Sequence, residues 1–321
     1  MITIDTGKDQ KDLDESFNLA YNVFSKNVNQ LDRALKLITW TDYPYFEFRN
    51  LVIAKDNDNI IGLVRIVPTI FLWNSREVKS AGVSSVCIDE RYRGRGISKL
   101  LLEKTFFEIE KRKFDLSHLI ARKALDNYYN KFGYFGASSY QKIQIKNSNF
   151  QKQENVKLEK KFIEQNIKIY SQAYDESYVK CFGRVKRDEK YWYYLKLRFE
   201  KMNEVTFFTI KLNNIPIGYM LREGNKILEL SILEQHLSNE ILEQIIFSNE
   251  DEVVLEIPFE HSLVSYLGNW DIIFLSRKCL FGGHMLKIIN NTLFKDDDFS
   301  IGLRKEFSSS PFFNISCSDH C

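Results

Sequence analysis

One stretch, residues 83–102, constrains the fold of this chain more than any other part of the sequence. Residues 83–88 are β-branched and apolar enough to predict a buried strand. Residues 89–96 are polar, basic and interrupted by glycine, which predicts a turn. From Ile97 onward the apolar residues recur at helical spacing. The stretch therefore predicts a strand, a Gly/Arg turn and a helix in direct succession.

This turn has the chemistry of an anion-binding site. Backbone N–H groups at the start of a helix have no partner within the helix, and the helix dipole favours an anion there. Gly94 and Gly96 permit close approach of the backbone, and Arg91, Arg93 and Arg95 add positive charge. The alternative is an ordinary strand–helix corner with solvated arginines. Three arginines placed between a strand and a helix favour the anion site.

The segment Arg93-Gly94-Arg95-Gly96-Ile97-Ser98 resembles the Arg/Gln-x-x-Gly-x-Gly/Ala loop of the GNAT acyltransferases, which grips the pyrophosphate of acetyl-CoA. Ser98 departs from the glycine or alanine of that pattern, although a small residue still fits there. A second register that starts at Arg91 also matches. We favour the first register because it places Ile97 and the leucines that follow as in the family's helix.

A second signature lies downstream, where residues 127–134 resemble the family's tyrosine followed by a Phe-Gly-Tyr/Phe turn. The resemblance implies that Tyr129 is the general acid. A phenol with a pKa of about 10 is a poor base but can protonate a leaving thiolate. The alternative is that Tyr129 packs in the core, as Tyr128 would. The cofactor-binding residues implied by the resemblance are Val86, Cys87, Ile88, Arg93, Gly94, Arg95, Gly96, Ile97, Ser98 and Tyr134.

The general base is predicted from weaker signals. Asp42 and Glu47 lie in an aromatic segment that should line the acceptor pocket, and we favour Asp42. Asp89 and Glu90 follow the central strand. In the Eis-like branch of the family the C-terminal carboxylate reaches the site, which here would be that of Cys321. Each of these groups has the alternative of being a solvated surface carboxylate, and a water relay is a further alternative.

Two other reactive side chains are predicted to be structural. Cys87 lies within the predicted central strand, and no base is suggested beside it, so a buried apolar thiol is favoured over a nucleophile. His118 precedes a short predicted strand and is interpreted as a structural histidine.

The remaining sequence predicts two related units, as a length of 321 residues suggests. The polar, aperiodic residues 147–157 place the boundary, giving a CoA-binding GNAT domain at 1–148 and a degenerate GNAT-like domain at 149–321. A strand at 140–145 is expected to close the first unit. The fold class implied by the resemblance is α/β (α+β), with two tandem GNAT-like domains. Each should be a mixed, mostly antiparallel twisted sheet flanked by helices.

A weak internal repeat supports the second unit. Residues 53–64 and 210–220 share a strand, an asparagine turn and an apolar-Gly-apolar segment. No Arg-x-x-Gly-x-Gly motif follows the predicted strand at 227–233, so the second copy should lack its own CoA site. Residues 71–83, with a hairpin turn at 74–75, and residues 284–289 are similar to segments of Eis-like proteins, whose third, sterol-carrier-like domain is expected to be missing here.

Composition narrows the partners. The 45 basic and 43 acidic residues nearly balance, which gives no argument for a nucleic-acid or membrane partner. The five cysteines have neither zinc nor redox spacing, so we expect no metal and a reducing compartment. No signal peptide or membrane-length apolar run is evident, which favours a cytoplasmic protein.

The sequence thus favours an acyl-CoA-dependent N-acyltransferase that moves an acetyl or short, even hydroxylated, acyl group to a primary amine. A pocket lined by Trp40, Tyr43, Tyr45 and Trp73 would suit a sugar or nucleotide ring. A resemblance to two-half GNAT proteins that acylate amino groups of nucleotide-linked sugars favours an amino sugar on a nucleotide-linked sugar as the acceptor. The alternatives are an Eis-like aminoglycoside, polyamine or protein-lysine acetyltransferase, and a non-catalytic CoA-binding module. An RNA-binding role of residues 91–96 has thin support. The second half is expected to shape the acceptor pocket or an oligomer interface.

Overall fold

A computed structural model describes residues 1–25, 32–73, 76–121, 125–136, 139–146, 152–181, 183–202, 204–247, 252–258, 260–269, 273–279, 284–290 and 292. The α-helices are α1 (Gln10–Ser25), α2 (Arg33–Thr41), α3 (Ile97–Lys111), α4 (Asp126–Asn130), α5 (Ile167–Ser177), α6 (Glu189–Lys201) and α7 (Ser238–Phe247). The strands of the first half are β1 (Ile2–Thr6), β2 (Leu51–Asp56), β3 (Asn59–Trp73), β4 (Arg76–Ile88), β5 (Leu116–Ile120), β6 (Phe135–Gly136) and β7 (Ser139–Lys146). Those that follow are β8 (Val156–Glu159), β9 (Arg184–Val185), β10 (Val205–Leu212), β11 (Ile215–Glu223), β12 (Lys226–Ile232), β13 (Glu252–Pro258), β14 (Ile273–Cys279) and β15 (His284–Ile288).

These strands form two sheets. The first has the order β1-β2-β3-β4-β5-β15-β6, and β9 also pairs with β3. The second has the order β14-β7-β13-β12-β11-β10-β8. The β4–β5 and β12–β13 pairs are parallel, whereas the other pairs are antiparallel. The predicted fold class, two mixed and mostly antiparallel sheets flanked by helices, is confirmed.

Two strands cross between the halves. The strand predicted at 140–145 exists as β7, but its assignment to the first unit is wrong, because β7 pairs with β13 and β14. Its Ile143 and Ile145 are fully buried in the core of the second sheet. In exchange, β15 lies between β5 and β6 of the first sheet, and Met285 packs in the core there. The boundary at 148/149 remains a prediction. One strand from each side of it, β7 and β15, belongs to the sheet of the other half.

The predicted internal repeat is visible in two hairpins, β2–β3 and β10–β11. Both have a register shift at matching positions, next to the pairs Ala54–Gly62 and Ile210–Gly218. A Cβ atom at Gly62 would lie 2.6 Å from Ile88 Cδ1, and one at Gly218 would lie 2.0 Å from Ser231 O. Gly218 therefore requires glycine because the backbone of the neighbouring strand passes too close for a side chain, whereas at Gly62 the close contact is with the end of the Ile88 side chain.

Helices cover both faces of the first sheet, as the alternation of a strand dictates. In β2, Leu51 and Ile53 are buried with Leu13 and Phe17 of α1. Their neighbours Val52 and Ala54 are instead buried with α3 on the other face. None of the helices in the described ranges is long and apolar enough to cross a membrane.

An aromatic core, termed the seam, is formed by residues of both halves. This seam contains Tyr43 and Phe71 from the first half and Tyr174, Trp192 and Tyr219 from the second. It encloses the ion pair of Arg187 and Glu229, with Nη1–Oε1 and Nη2–Oε2 distances of 2.7 and 3.0 Å. The side chains of that pair are 1% and 0% exposed. The seam is therefore buried like the core of a domain, unlike the more polar interface that is typical between separate domains.

Candidate active site

The central strand β4 extends beyond its parallel neighbour. It pairs with β5 only from Ser80–Leu116 to Gly82–His118, so residues 83–88 continue past the last pair with β5 in the described structure. A bulge interrupts its pairing with β3, where the register shifts between Leu63 and Arg65. At the bulge, Ser85 has a φ of +53°, in the left-handed region that favours glycine. Local strain at Ser85 thus occurs in the part of β4 that has no pairing with β5 in the described structure.

The turn after β4 has the predicted form. Gly94 and Gly96 have φ of +78° and +76°, and a Cβ atom at either position would meet nothing within 4 Å. Glycine is therefore required for the backbone conformation, and the space beside the turn is open. Gly96 caps α3 without a side-chain hydrogen bond, which leaves first-turn N–H groups available to an anion. The prediction of a helix from Ile97 is confirmed.

The three arginines of the turn differ in what holds them. Arg91 forms a two-point ion pair with Asp89, with N–O distances of 3.1 and 2.7 Å. Arg95 donates to the carbonyl of Arg91 at 3.2 Å and covers the ring of Tyr92. Arg93 instead reaches back to the end of β4, where its Nε donates to Ile88 O at 3.4 Å. Its Nη2 also lies 3.9 Å from Glu90 Oε1, and the choice of the register that begins at Arg93 remains a prediction.

Three tyrosines of the second signature lie close together and have different partners. The Tyr134 hydroxyl is 2.6 Å from Ser117 Oγ, and the Tyr128 hydroxyl donates to Ser98 Oγ at 3.3 Å. The Tyr129 ring contacts both tyrosine rings, at 5.3 and 6.1 Å between centroids. No hydrogen bond of the Tyr129 hydroxyl occurs among the described residues. Burial, with a smaller effect of Tyr128, raises the pKa of Tyr129 to about 12.

Three of the predicted carboxylates have partners other than this tyrosine. Asp42 is exposed at the end of α2 and accepts a hydrogen bond from Thr41 at 2.6 Å. Glu47 is paired with Arg49, and Asp89 caps the turn through the N–H of Arg91. Cys321 lies outside the described residues. The described part of the chain shows no contact between Asp42 and Tyr129, and the assignment of the base remains a prediction.

The prediction that four aromatic residues line the acceptor pocket is wrong for two of them. Trp40 is fully buried and Tyr43 is 5% exposed, so neither ring can stack on a substrate. Both rings pack around the guanidinium of Arg65, whose carbon lies 5.2 and 5.7 Å from their centroids. Tyr45 is half-buried and donates to Asp188 at 2.7 Å, and the side chain of Trp73 lies outside the described part.

The side chains of Cys87 and His118 are both buried. Cys87 is 5% exposed, and burial raises the pKa of its thiol to about 12, so it is protonated and inert at neutral pH. His118 is buried, its Nδ1 lies 2.6 Å from Ser80 Oγ, and a Cβ atom at Gly82 would lie 3.0 Å from its Nε2. The predicted burial of the Cys87 thiol is confirmed, and the structural role of His118 remains a prediction.

In the second half, side chains occupy the position that corresponds to the open strand edge of β4 in the first half. The strand pairs Gly62–Ile88 and Gly218–Ile232 correspond in the two hairpin units. Around Ile232, Ser177 Oγ accepts the N–H at 3.1 Å, and Gln235 donates to the carbonyl. His261 Nε2 lies 2.9 Å from Leu230 O. Sequence reasoning missed these three residues, because only the absence of a glycine turn was visible.

The buried histidine makes stability depend on pH. Burial is the largest cause that lowers the pKa of His261 from 6.5 to about 4. Between pH 4 and 6.5 the unfolded chain binds more protons at this histidine than the folded chain does. The contribution of the neutral His261 to the free energy of unfolding is therefore fully present above pH 6.5 and is lost as the pH falls toward 4. We expect a loss of roughly 3 kcal/mol from this residue across that window. Urea unfolding of wild type and His261→Gln at several pH values should show a shallower dependence in the variant. The exposed His236→Gln is the control, and equal slopes for wild type and His261→Gln would contradict the assignment.

Comparison with known proteins agrees with this geometry. Residues 6–136 match the family model described as an acetyltransferase (GNAT) domain. The matched region contains the extended strand, the glycine turn and Tyr129. No curated protein matches the sequence.

Solved structures extend the likeness over both halves. A GCN5-related N-acetyltransferase from Anabaena variabilis ATCC 29413 is similar with a TM-score of 0.67 at 20% identity, over 90% of this chain and 73% of that one. Eis1 from Mycobacterium abscessus is similar with a TM-score of 0.63 at 13% identity, over 90% and 74%. A GCN5-related N-acetyltransferase from Kribbella flavida gives 0.64 at 14%, over 95% and 74%. At these identities the likeness shows a shared fold.

Proposed function

We propose that the chain is an N-acyltransferase that moves an acetyl or short acyl group from a CoA thioester to a primary amine. The observation that carries this proposal is the direct run from the open edge of β4 into an arginine-bearing helix cap. A pantetheine arm can pair with an open strand edge, and a pyrophosphate is suited to the helix start that follows it. The space beside Gly94 and Gly96 is open, since a Cβ atom at either position would meet nothing within 4 Å.

Each group then has a task in acyl transfer. Backbone N–H groups around Val86, Cys87 and Ile88 would hold the pantetheine amides and the developing oxyanion. Arg93 and the N–H groups at Gly94–Ser98 would hold the pyrophosphate. Tyr129 would donate its proton to the leaving thiolate, because its raised pKa keeps the hydroxyl protonated. The amine must lose a proton before it attacks, and Asp42 or a water relay is the proposed acceptor of that proton.

The proposed acceptor is the amino group of a nucleotide-linked amino sugar. The burial of Trp40 and Tyr43 removes part of the stacking surface on which this choice was based. An Eis-like reaction on aminoglycosides, polyamines or protein lysines is the second candidate, favoured by the fold shared with Eis1 over most of the chain. The second half packs against residues 43–46 and would fix that side of the acceptor pocket.

Thiol release tests the proposal. Acetyl-CoA and other short acyl-CoAs are combined with amino-sugar nucleotides, aminoglycosides, polyamines and lysine peptides. Turnover with an amino-sugar nucleotide alone supports the favoured acceptor, and turnover with aminoglycosides or lysine peptides supports the second candidate. CoA binding without turnover in any combination would favour a non-catalytic CoA-binding module. A failure to bind CoA would overturn the proposal.

Charge reversal at the pyrophosphate position gives a sharper test. Arg93→Glu should weaken CoA binding by about 100-fold or more, because a charge-assisted hydrogen bond contributes about 1.5–3 kcal/mol and the new carboxylate repels phosphate. The Arg93 side chain is 54% exposed, so the fold should remain intact. Calorimetric titration with CoA measures the effect. Arg76→Glu, at the other end of β4, is the matched control, and equal affinities in the two variants would remove the pyrophosphate assignment.

A further inference from the structure

The last position of the glycine motif is occupied by Ser98, where the family pattern has glycine or alanine. Its hydroxyl has a defined partner, since the Tyr128 hydroxyl donates to Ser98 Oγ at 3.3 Å. A glycine or alanine at this position could not accept that hydrogen bond. The serine is therefore matched to a tyrosine 30 residues further along the chain.

This contact joins the two parts of the candidate site. Ser98 is the second residue of α3, in the turn whose N–H groups face the predicted anion. Tyr128 belongs to α4 and directly precedes Tyr129, the proposed proton donor. The Tyr128 ring also meets the rings of Tyr129 and Phe132 edge to face, at 5.3 and 5.4 Å between centroids.

The helix that bears Tyr129 needs such anchors. At five residues, α4 is far too short to be stable by its own hydrogen bonds. Side chains on either side of Tyr129 hold it instead. Phe132 packs on Phe106 of α3 at 5.4 Å, and the Tyr134 hydroxyl contacts Ser117 of β5. Among these anchors, the Tyr128 hydroxyl is the one that contacts the first turn of α3.

We propose that Tyr128 is a positioning residue, whose hydrogen bond to Ser98 fixes α4 against the anion-binding turn. Through this bond, the turn that holds the pyrophosphate also sets the position of the Tyr129 hydroxyl. The inference rests on the proposed acyl transfer from CoA. It assigns to the departure at Ser98 a role in coupling donor binding to proton donation.

A double-variant cycle tests the coupling. Tyr128→Phe and Ser98→Ala each remove the same hydrogen bond, so each should weaken CoA binding by about three- to tenfold. The double variant should be no weaker than either single variant, because the bond is lost only once. Titration with CoA measures this cycle without an acceptor. Tyr170→Phe, which removes a buried hydroxyl bonded to Thr209 in the second half, is the matched control and should leave CoA affinity unchanged.

Turnover measurements distinguish a positioning role of the Tyr128–Ser98 hydrogen bond from a purely structural one. In both single variants kcat with the best donor–acceptor pair should fall about three- to tenfold, whereas the KM of the amine stays the same. Additive losses in the cycle, or CoA affinity and kcat equal to wild type in both variants, would overturn the coupling. If wild type itself does not bind CoA, the proposed function fails. A coupling seen only in the unfolding free energy would also overturn the inference and leave a purely structural contact.

Discussion

Tyr129→Phe is expected to lower kcat by about 100-fold while CoA affinity stays within about twofold of wild type. The variant keeps the ring that packs between Tyr128 and Tyr134 and removes only the hydroxyl. Since that hydroxyl has no hydrogen bond among the described residues, its removal should leave the unfolding free energy nearly unchanged. Without the proton donor, the thiolate would leave as an anion in a buried site, which raises the barrier.

The pH profile adds a second readout of the same residue. With a pKa of about 12, Tyr129 stays protonated at every pH at which the protein can be assayed. The wild-type rate should therefore rise with pH as the amine loses its proton, with no decline below a pH of about 10. A decline centred near pH 8 would contradict the assignment, as would a kcat in Tyr129→Phe within about threefold of wild type.

Local chemistry explains what the sequence could predict. The strand, glycine turn and helix at residues 83–102 depend on β-branching, positive φ and apolar spacing, which neighbouring residues determine. The structure reproduces that order, with Gly94 and Gly96 in the left-handed region. The two hairpins with asparagine turns were predictable for the same reason, and Asn57 and Asn213 have φ of +54° and +49°.

Partner choice between distant strands was not predictable. Alternation shows that Ile143 and Ile145 of β7 face a core, yet it does not show which sheet supplies that core. In the same way, aromatic residues near a site indicate either a substrate wall or a buried seam. Trp40 packs between Arg65 and Phe17, whereas Tyr43 packs between Arg65 and the tyrosines of α6, and these contacts join segments far apart in sequence.

The buried ion pair in the seam was also invisible in the sequence, and it carries the largest expected effect on stability. Arg187→Met would leave Glu229, which is 0% exposed, without its bidentate partner. We expect this change to cost about 3–5 kcal/mol of unfolding free energy, a large share of a total of about 5–15 kcal/mol. Urea unfolding followed by tryptophan fluorescence measures it, since Trp192 lies beside the guanidinium.

A surface ion pair next to it in sequence provides the control. Lys186 pairs with Glu77 where the two side chains are 43% and 51% exposed, so Lys186→Met should cost less than about 1 kcal/mol. In the double variant Arg187→Met/Glu229→Leu neither charge of this pair remains, and most of the lost free energy of unfolding should return. A single variant Arg187→Met no less stable than Lys186→Met would show that the buried pair contributes no more than a solvated one. Arg187 follows β9, which pairs with the first sheet, and Glu229 lies in β12 of the second, so a large loss would show the cost of an unpaired charge buried between the halves.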